Sequence, residues 1–165
     1  MKKVIVIGCP GSGKSTFSKA LHAQTGIPLI HLDLLFWNAD KTTVEKSVFM
    51  QRLRKVLAQD AWIIDGNYAS TMELRLQQSD TVIFLDYPTE VCLQGIEERK
   101  GKARSDMPWV ESGKSDEDFT EFIKNYRTKS RPQVIELLKK YPKKRVFVFQ
   151  NRAEADSFLA QLQQI

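Results

Sequence analysis

The sequence predicts an α/β fold, a three-layer α/β/α arrangement around five parallel strands, built as one domain over residues 1–165. Three observations carry that prediction. Five short apolar, β-branched runs are spaced along the chain: Val4 to Ile7, Pro28 to Leu32, Trp62 to Asp65, Thr81 to Leu85, and Arg145 to Phe149. Segments of helical pattern separate them, and the runs lack the polar alternation of a sheet with one wet face. Buried parallel strands under crossover helices are therefore expected. The third observation is a glycine-rich stretch directly after the first run, where a strand-to-helix turn belongs.

That stretch, Gly8-Cys9-Pro10-Gly11-Ser12-Gly13-Lys14-Ser15, matches G-x-x-x-x-G-K-[ST], the phosphate-binding loop, and leads into Thr16. Its glycines let successive N–H groups converge on phosphate oxygens with no Cβ in the way. The following helix adds the positive end of its dipole. Lys14 is expected to reach the β- and γ-phosphates and the Ser15 hydroxyl to ligate Mg²⁺. Gly8, Pro10, Gly11, Ser12, Gly13, Lys14, Ser15 and Thr16 are thus the candidates to hold ATP.

The second run ends at His31-Leu32-Asp33. His31 reads as a satisfied buried histidine and Asp33 as a carboxylate on the substrate side. Phe36 and Trp37 suit an acceptor pocket or the core equally. Thr42, with Glu45 three residues later, has the form of a capping box opening the next helix. The third run ends in Asp65-Gly66-Asn67-Tyr68, where Asp65 fits a metal or nucleotide site and Tyr68 a substrate contact. The fourth ends in Asp86-Tyr87-Pro88, with Asp86 read as a strand-end cap. Acids at three successive strand ends matter because an open parallel sheet binds its ligand outside those ends.

From Gly101 to Asp116 the chain has no clear periodicity and carries two glycines and a proline. A lid over about residues 101–117 is expected there. Ser115 with Asp118 offers an entry into the next helix. Pro132 suits a first helical position, so a boundary between two helices is expected at Arg131. Should the helix persist instead, Arg127 and Arg131, four residues apart, share one face. The fifth run leads into Asn151-Arg152, and Arg152 is a further candidate for the nucleotide.

Composition sets the outer bounds. With 42% hydrophobic residues the chain can bury a substantial core. No run of 18 apolar residues suggests a membrane span, and the short N-terminal apolar run reads as a strand and not a signal peptide. Cys9 and Cys92 are the only cysteines and form no metal-spaced cluster, which suits a reducing cytoplasm. Cys9, in an electropositive loop, reads as a small filler in preference to an acidic thiol. The formal charge of +5 is uneven: residues 99–152 hold 15 Lys and Arg against 7 Asp and Glu, a balance of +8, and the remainder stands at −3. A basic half fits nucleic acid or a site that clamps polyphosphate.

Taken with the loop, Asp33, Asp65-Gly66, Phe84-Leu85-Asp86-Tyr87-Pro88 and the arginine-bearing segment from Arg99 to Arg131, the chain resembles the P-loop kinases of the adenylate and shikimate kinase type over nearly its whole length. More narrowly, His31-Leu32-Asp33, Asp65-Gly66-Asn67-Tyr68 and Arg75 look like small bacterial proteins labelled DNA topology modulation proteins. The resemblance implies strand order 2-3-1-4-5 and a lid between strands four and five. It also implies that Asp33 and Arg75 face a phosphoryl acceptor, with Asp65 near the magnesium shell through water. Arg99, Arg104, Arg127 and Arg131 would neutralise charge on the moving phosphoryl group, since that reaction is mainly positioning and electrostatic stabilisation. Asn67-Tyr68-Ala69 stands where adenylate kinases have Phe-Pro-Arg, and the triple glycine of shikimate kinases is missing, which argues against both AMP and shikimate as acceptor. An N-K-x-D motif and a Leu-Ser-Gly-Gly-Gln signature are also absent from the sequence.

The function expected is transfer of the γ-phosphoryl group of Mg-ATP to a small-molecule acceptor, by a monomer or homodimer with no membrane association. The alternatives are a nucleotide-regulated DNA-binding protein, for which no base-reading module is visible, and a simple ATPase.

Overall fold

Strand β1 (Lys3–Gly8) is the centre of a parallel sheet of order β2-β3-β1-β4-β5, with β2 at Leu29–His31, β3 at Trp62–Asp65, β4 at Thr81–Leu85 and β5 at Arg145–Phe149. The structure is a computed structural model that describes residues 1–100 and 117–164. Of the lid expected over about 101–117, residues 101–116, with Arg104 and Ser115, lie outside the described residues, and residue 117 opens a helix. Helices α1 (Lys14–Thr25), α2 (Leu32–Phe36), α3 (Lys46–Leu57), α4 (Ala69–Gln78), α5 (Thr89–Arg99), α6 (Glu117–Lys140) and α7 (Arg152–Leu162) connect and cover the strands.

Period-two alternation in β1 sends Val4 and Val6 to one face and Ile5 and Ile7 to the other, all four fully buried. The first face packs Phe17 and Leu21 of α1, Cys92 and Ile96 of α5, Ile123 and Tyr126 of α6, and Leu159 of α7. The second packs Phe49 and Leu53 of α3, Met72 and Leu76 of α4, and Val134 of α6. Helix α6, the longest helix described, thus serves both layers.

Three expectations need correction. Pro132 does not divide two helices: α6 runs through it without interruption. A buried strand environment is wrong for β5, an edge strand whose Val146 and Val148 are 36% and 43% exposed. Thr42 and Glu45 form no capping box. Glu45 itself is the residue before α3, and the Thr42 hydroxyl donates to Asp40 instead. A working cap of this kind sits at Asn151, whose side chain accepts from the Glu154 N–H at 2.9 Å while Glu154 accepts from the Gln150 N–H.

Candidate active site

Gly8, at the end of β1, opens the glycine-rich loop, which wraps the N-terminus of α1. Gly11 and Gly13 hold φ of 84° and 92°, a region that favours glycine. Gly11 also lies against α5 so closely that a Cβ there would sit 2.0 Å from the Cys92 carbonyl oxygen. At Gly13 nothing lies within 4 Å of such a Cβ, so the turn into α1 faces open space. Lys14 curls back, its Nζ donating to the Gly8 carbonyl at 3.0 Å and the Cys9 carbonyl at 3.3 Å. Burial pulls the Lys14 pKa down, while the Asp65 and Asp33 carboxylates act in the opposite direction. The hydroxyls of Ser12 and Ser15 are buried without a hydrogen-bond partner among the described residues. Two orphaned hydroxyls in one loop are what a polar ligand would satisfy.

The loop is docked onto the third strand by Asn67. Its Nδ2 donates to the Gly8 carbonyl at 2.6 Å and its Oδ1 accepts from the Gly8 N–H at 3.2 Å. The sequence alone gives Asn67 no role, although its place two residues past a strand-end Asp is the signal that points to it. Asp65 is buried and accepts from His31 Nδ1 at 2.6 Å, so His31 is the satisfied buried histidine expected. Tyr68 occupies a left-handed backbone position with φ of 37°, and its hydroxyl donates to Asp33. Burial, then the Asp33 charge, pushes the phenol pKa far up, so Tyr68 stays protonated and remains a donor.

Asp33, Asp65 and Tyr68 do meet, together with Lys14, Ser15, Arg99 and Arg152, around a cleft of about 950 Å³ outside the carboxyl ends of the strands. Trp37 joins them in the cleft wall, while Phe36 packs edge-on against Phe49 and Tyr68 behind it. Arg75 is not brought there. It is fully buried, donating to the carbonyls of Gly66, Asn67 and Tyr68 and to the Thr71 hydroxyl. Desolvation lowers its pKa to about 9, which still leaves it charged at neutral pH.

Arg127 and Arg131 share a face of α6, and that face meets Asp86. Arg131 forms a two-pronged pair, Nε to Oδ1 and Nη2 to Oδ2, both at 2.8 Å. Arg127 reaches Oδ1 at 3.5 Å and the Tyr87 carbonyl at 3.4 Å. Asp86 is therefore an ion-pair anchor for α6, correcting its reading as a strand-end cap. The Cys9 thiol hydrogen-bonds with Cys92; that contact and burial push its pKa up, so it is the inert filler and not an acidic thiol.

No protein-family model and no curated protein matches this chain. Solved structures do. A shikimate kinase from Bacteroides thetaiotaomicron superposes over 98% of this chain and 96% of its own, with a TM-score of 0.58 at 19% identity. Shikimate kinase from Acinetobacter baumannii, in complex with shikimate, covers 99% of this chain and 92% of its own at TM-score 0.66 and 16% identity. The strand order and the loop between β1 and α1 agree with that likeness. This chain has a P-loop NTPase fold.

In a P-loop fold the loop stands midway along the ligand-binding edge, and here it divides two unlike walls. Toward β4 and β5 the cleft is lined by Tyr87, Arg99, Phe119, Phe122, Arg152 and Leu159. Toward β2 and β3 it is lined by Asp33, Trp37, Asp65, Gly66, Asn67 and Tyr68. Mg²⁺ keeps several waters and usually takes one or two protein oxygens plus substrate phosphates. The partnerless Ser15 hydroxyl, with Asp65 across the same cleft, fits such a shell, and no group of three or more metal-ligating side chains is found among the described residues. No helix among the described residues is long and apolar enough to cross a membrane.

Proposed function

We propose that this protein is an ATP-dependent phosphotransferase that moves the γ-phosphoryl group to a hydroxyl-bearing small molecule. The observation that carries the reading is the pairing of an anion cradle with a carboxylate wall. On one side stand the loop amides, Lys14 and two partnerless serine hydroxyls; on the other stand Asp33 and Asp65. The cradle holds the triphosphate, and Lys14 exchanges its two loop carbonyls for phosphate oxygens. The nucleoside lies on the wall toward β4 and β5, where Arg152 supplies a cation and Phe119 and Leu159 an apolar surface. The carboxylates of the opposite wall repel the triphosphate and leave that side to the acceptor.

Transfer forms a bond from the acceptor hydroxyl oxygen to the γ-phosphorus and breaks the bond from that phosphorus to the bridging oxygen of ADP. Asp33, held by the Tyr68 hydroxyl, accepts the hydroxyl proton and passes it to water. Ser15 and the shell near Asp65 would hold Mg²⁺, which would supply neutralising charge on the phosphates. Arg99 in the cleft wall neutralises the moving group. Arg104 remains a candidate for the same task. Arg131, bound at both prongs to Asp86, positions α6, and Arg127 beside it is the more loosely held of the two. Arg75 acts on the acceptor side only indirectly, by fixing the Gly66–Tyr68 turn.

The test incubates the protein with Mg-ATP and a panel of nucleosides, sugars, sugar acids and other alcohols, following ADP release and acceptor phosphorylation together. One-to-one production of ADP and phosphorylated acceptor is expected, with Lys14→Ala lowering turnover by about 10²-fold or more. Steady ADP release without any acceptor would instead indicate a plain ATPase. The narrower likeness to DNA topology modulation proteins names an effect on DNA and not a reaction. Part of the basic run that would serve DNA is engaged within the chain: Lys140 pairs with Glu73 at 2.5 Å, and Lys144 donates to the Gln77 and Ser79 carbonyls.

A further inference from the structure

We propose that two copies of this chain pair through strand β5, edge against edge and antiparallel, about a two-fold axis at Phe147. This pairing is independent of the phosphotransferase reading and uses a face that the cleft does not. The described sheet has β2 at one edge and β5 at the other. β2 is three residues long, and shortness is one way an edge is kept from pairing. β5 has five residues, Arg-Val-Phe-Val-Phe, with no proline, glycine or lysine among them. Its only sheet neighbour among the described residues is β4.

The bonds to β4 set the direction of every amide along β5. The Arg145 N–H donates to the Asp80 carbonyl at 3.2 Å, and the Phe149 carbonyl accepts from the Asp86 N–H at 2.8 Å. Residues 145, 147 and 149 therefore turn their backbone groups to β4, and Val146 and Val148 turn theirs to the open edge. The edge ends there, because the Lys144 N–H donates to the Tyr141 carbonyl and the Gln150 N–H to Glu154. Side chains follow the same alternation. Phe147 and Phe149 pack against Phe158, whereas Val146 and Val148 lie on the other face, 36% and 43% exposed.

Outward amides and exposed side chains thus belong to the same two residues, placed symmetrically about Phe147. An antiparallel copy centred there sets Val146 opposite the second copy's Val148, and Val148 opposite its Val146. Each pair exchanges two backbone hydrogen bonds, and the valines of both copies cover one another. The pattern is its own complement, which is why a second copy fits it. Charge agrees. The chain entering β5 carries Lys143, Lys144 and Arg145, and the chain leaving it carries Glu154 and Asp156 against Arg152. Antiparallel pairing brings each basic flank toward the other copy's acidic one; parallel pairing would set cations against cations. The contact uses both β5 edges and closes at two copies. Both clefts stay open, facing opposite ways, since each lies outside the carboxyl ends of its strands. Two five-residue strands make less than a standard interface of about 1,600 Å². The dimer is therefore reversible, with Kd on the order of 10 μM.

Sedimentation velocity of the full chain, from about 1 μM to about 500 μM, should show a shift from monomer to dimer. Val148→Lys places a charge at an exposed position and should raise the dimer Kd at least about tenfold. Thermal unfolding of the dilute variant and its affinity for Mg-ATP should match those of the unaltered protein. Register is read by cross-linking, since the native Cys9 and Cys92 are buried. Mixed Val146→Cys and Val148→Cys variants should form disulfide-linked dimers at least about fivefold faster than either variant alone. A chain that stays monomeric at the highest concentration overturns this pairing. So does a dimer that Val148→Lys leaves intact, or one whose cysteine variants link no faster mixed than alone.

Discussion

Asp86 and Arg131 are joined at both ends, Nε to Oδ1 and Nη2 to Oδ2 at 2.8 Å, across 45 residues of chain. The carboxylate is 3% exposed and the arginine side chain 32% exposed, so the two partners do not lose equally when parted. Replacing Arg131 leaves a buried anion with only the longer contact from Arg127; replacing Asp86 leaves a cation that can turn to water. Arg131→Met should therefore lower the unfolding free energy by about 3 kcal/mol, and Asp86→Ala by about 1 kcal/mol. Urea denaturation of the two variants checks the ordering, and equal losses would contradict it.

Gly95 lies in α5, outside any motif, yet a Cβ on it would approach the Gly11 carbonyl oxygen to 2.1 Å. Backbone faces backbone there, so neither side can move without displacing the phosphate loop. Gly95→Ala, ordinarily favourable in a helix interior, should instead cost about 2 kcal/mol through overpacking and weaken nucleotide binding. Isothermal calorimetry with Mg-ATP, alongside thermal unfolding, reads both effects. A stabilised variant with normal affinity would refute this close contact.

Burial holds the Lys14 pKa below that of a free lysine, and a bound triphosphate, an opposite charge, raises it. Nucleotide binding should then take up protons below the pKa of a free lysine, and affinity should fall as pH rises through the pKa of the ligand-free protein. The stability of the ligand-free protein should move the other way. The unfolded chain holds this proton to higher pH than the folded one, so folding gains as pH rises between the two values. Calorimetry in buffers of different ionisation enthalpy measures the uptake, and Lys14→Ala should abolish it.

Arg75 donates to three successive carbonyls of the Gly66–Tyr68 turn. Arg75→Met removes the charge but strands those carbonyls, at about 1–3 kcal/mol for each buried group left unpaired. A loss of at least 2 kcal/mol is expected by chemical denaturation, again by that cost of unpaired groups. Acceptor affinity should suffer because the turn carries Tyr68, which holds Asp33, and nucleotide affinity with it, because Asn67 docks the phosphate loop. Lysine should not rescue, since one ammonium cannot reproduce the planar fork.

Ser15→Ala tests the magnesium contact proposed for its hydroxyl. The hydroxyl is buried with no partner among the described residues, so its removal should cost the fold little. ATP affinity should fall several-fold with Mg²⁺ present and hardly at all in EDTA. A loss of equal size in both conditions would argue against a metal contact at this oxygen.

Much of this protein is local in origin and so can be read along the chain. The strands are legible to within about a residue or two because short β-branched runs between turn signals need no distant information, whereas the exposure of β5 depends on its place at the sheet edge. The loop from Gly8 to Ser15 was legible for the same reason: its glycines, lysine and serine act through backbone geometry set within eight residues. Thr42–Glu45 and Pro132 show where local rules give way. Asp40 offered the Thr42 hydroxyl a nearer partner, and packing of α6 against both layers outweighs one missing helical hydrogen bond at Pro132.

The amino-acid order by itself determined the parallel sheet, the anion cradle and the acids at the strand ends, because each depends on neighbours a few residues away. Only the tertiary structure decided which charges face the cleft. Arg75 and Arg131 look like site residues in the sequence, yet one is folded under a turn and the other locked to Asp86. Asn67 and Trp37 come to the cleft from loops whose course is set by packing. Arg131 is directed by Asp86, 45 residues away, and Asn67 by Gly8, 59 residues away. Arg75 has nearer partners, but the turn they belong to takes its shape only when the chain has closed on itself.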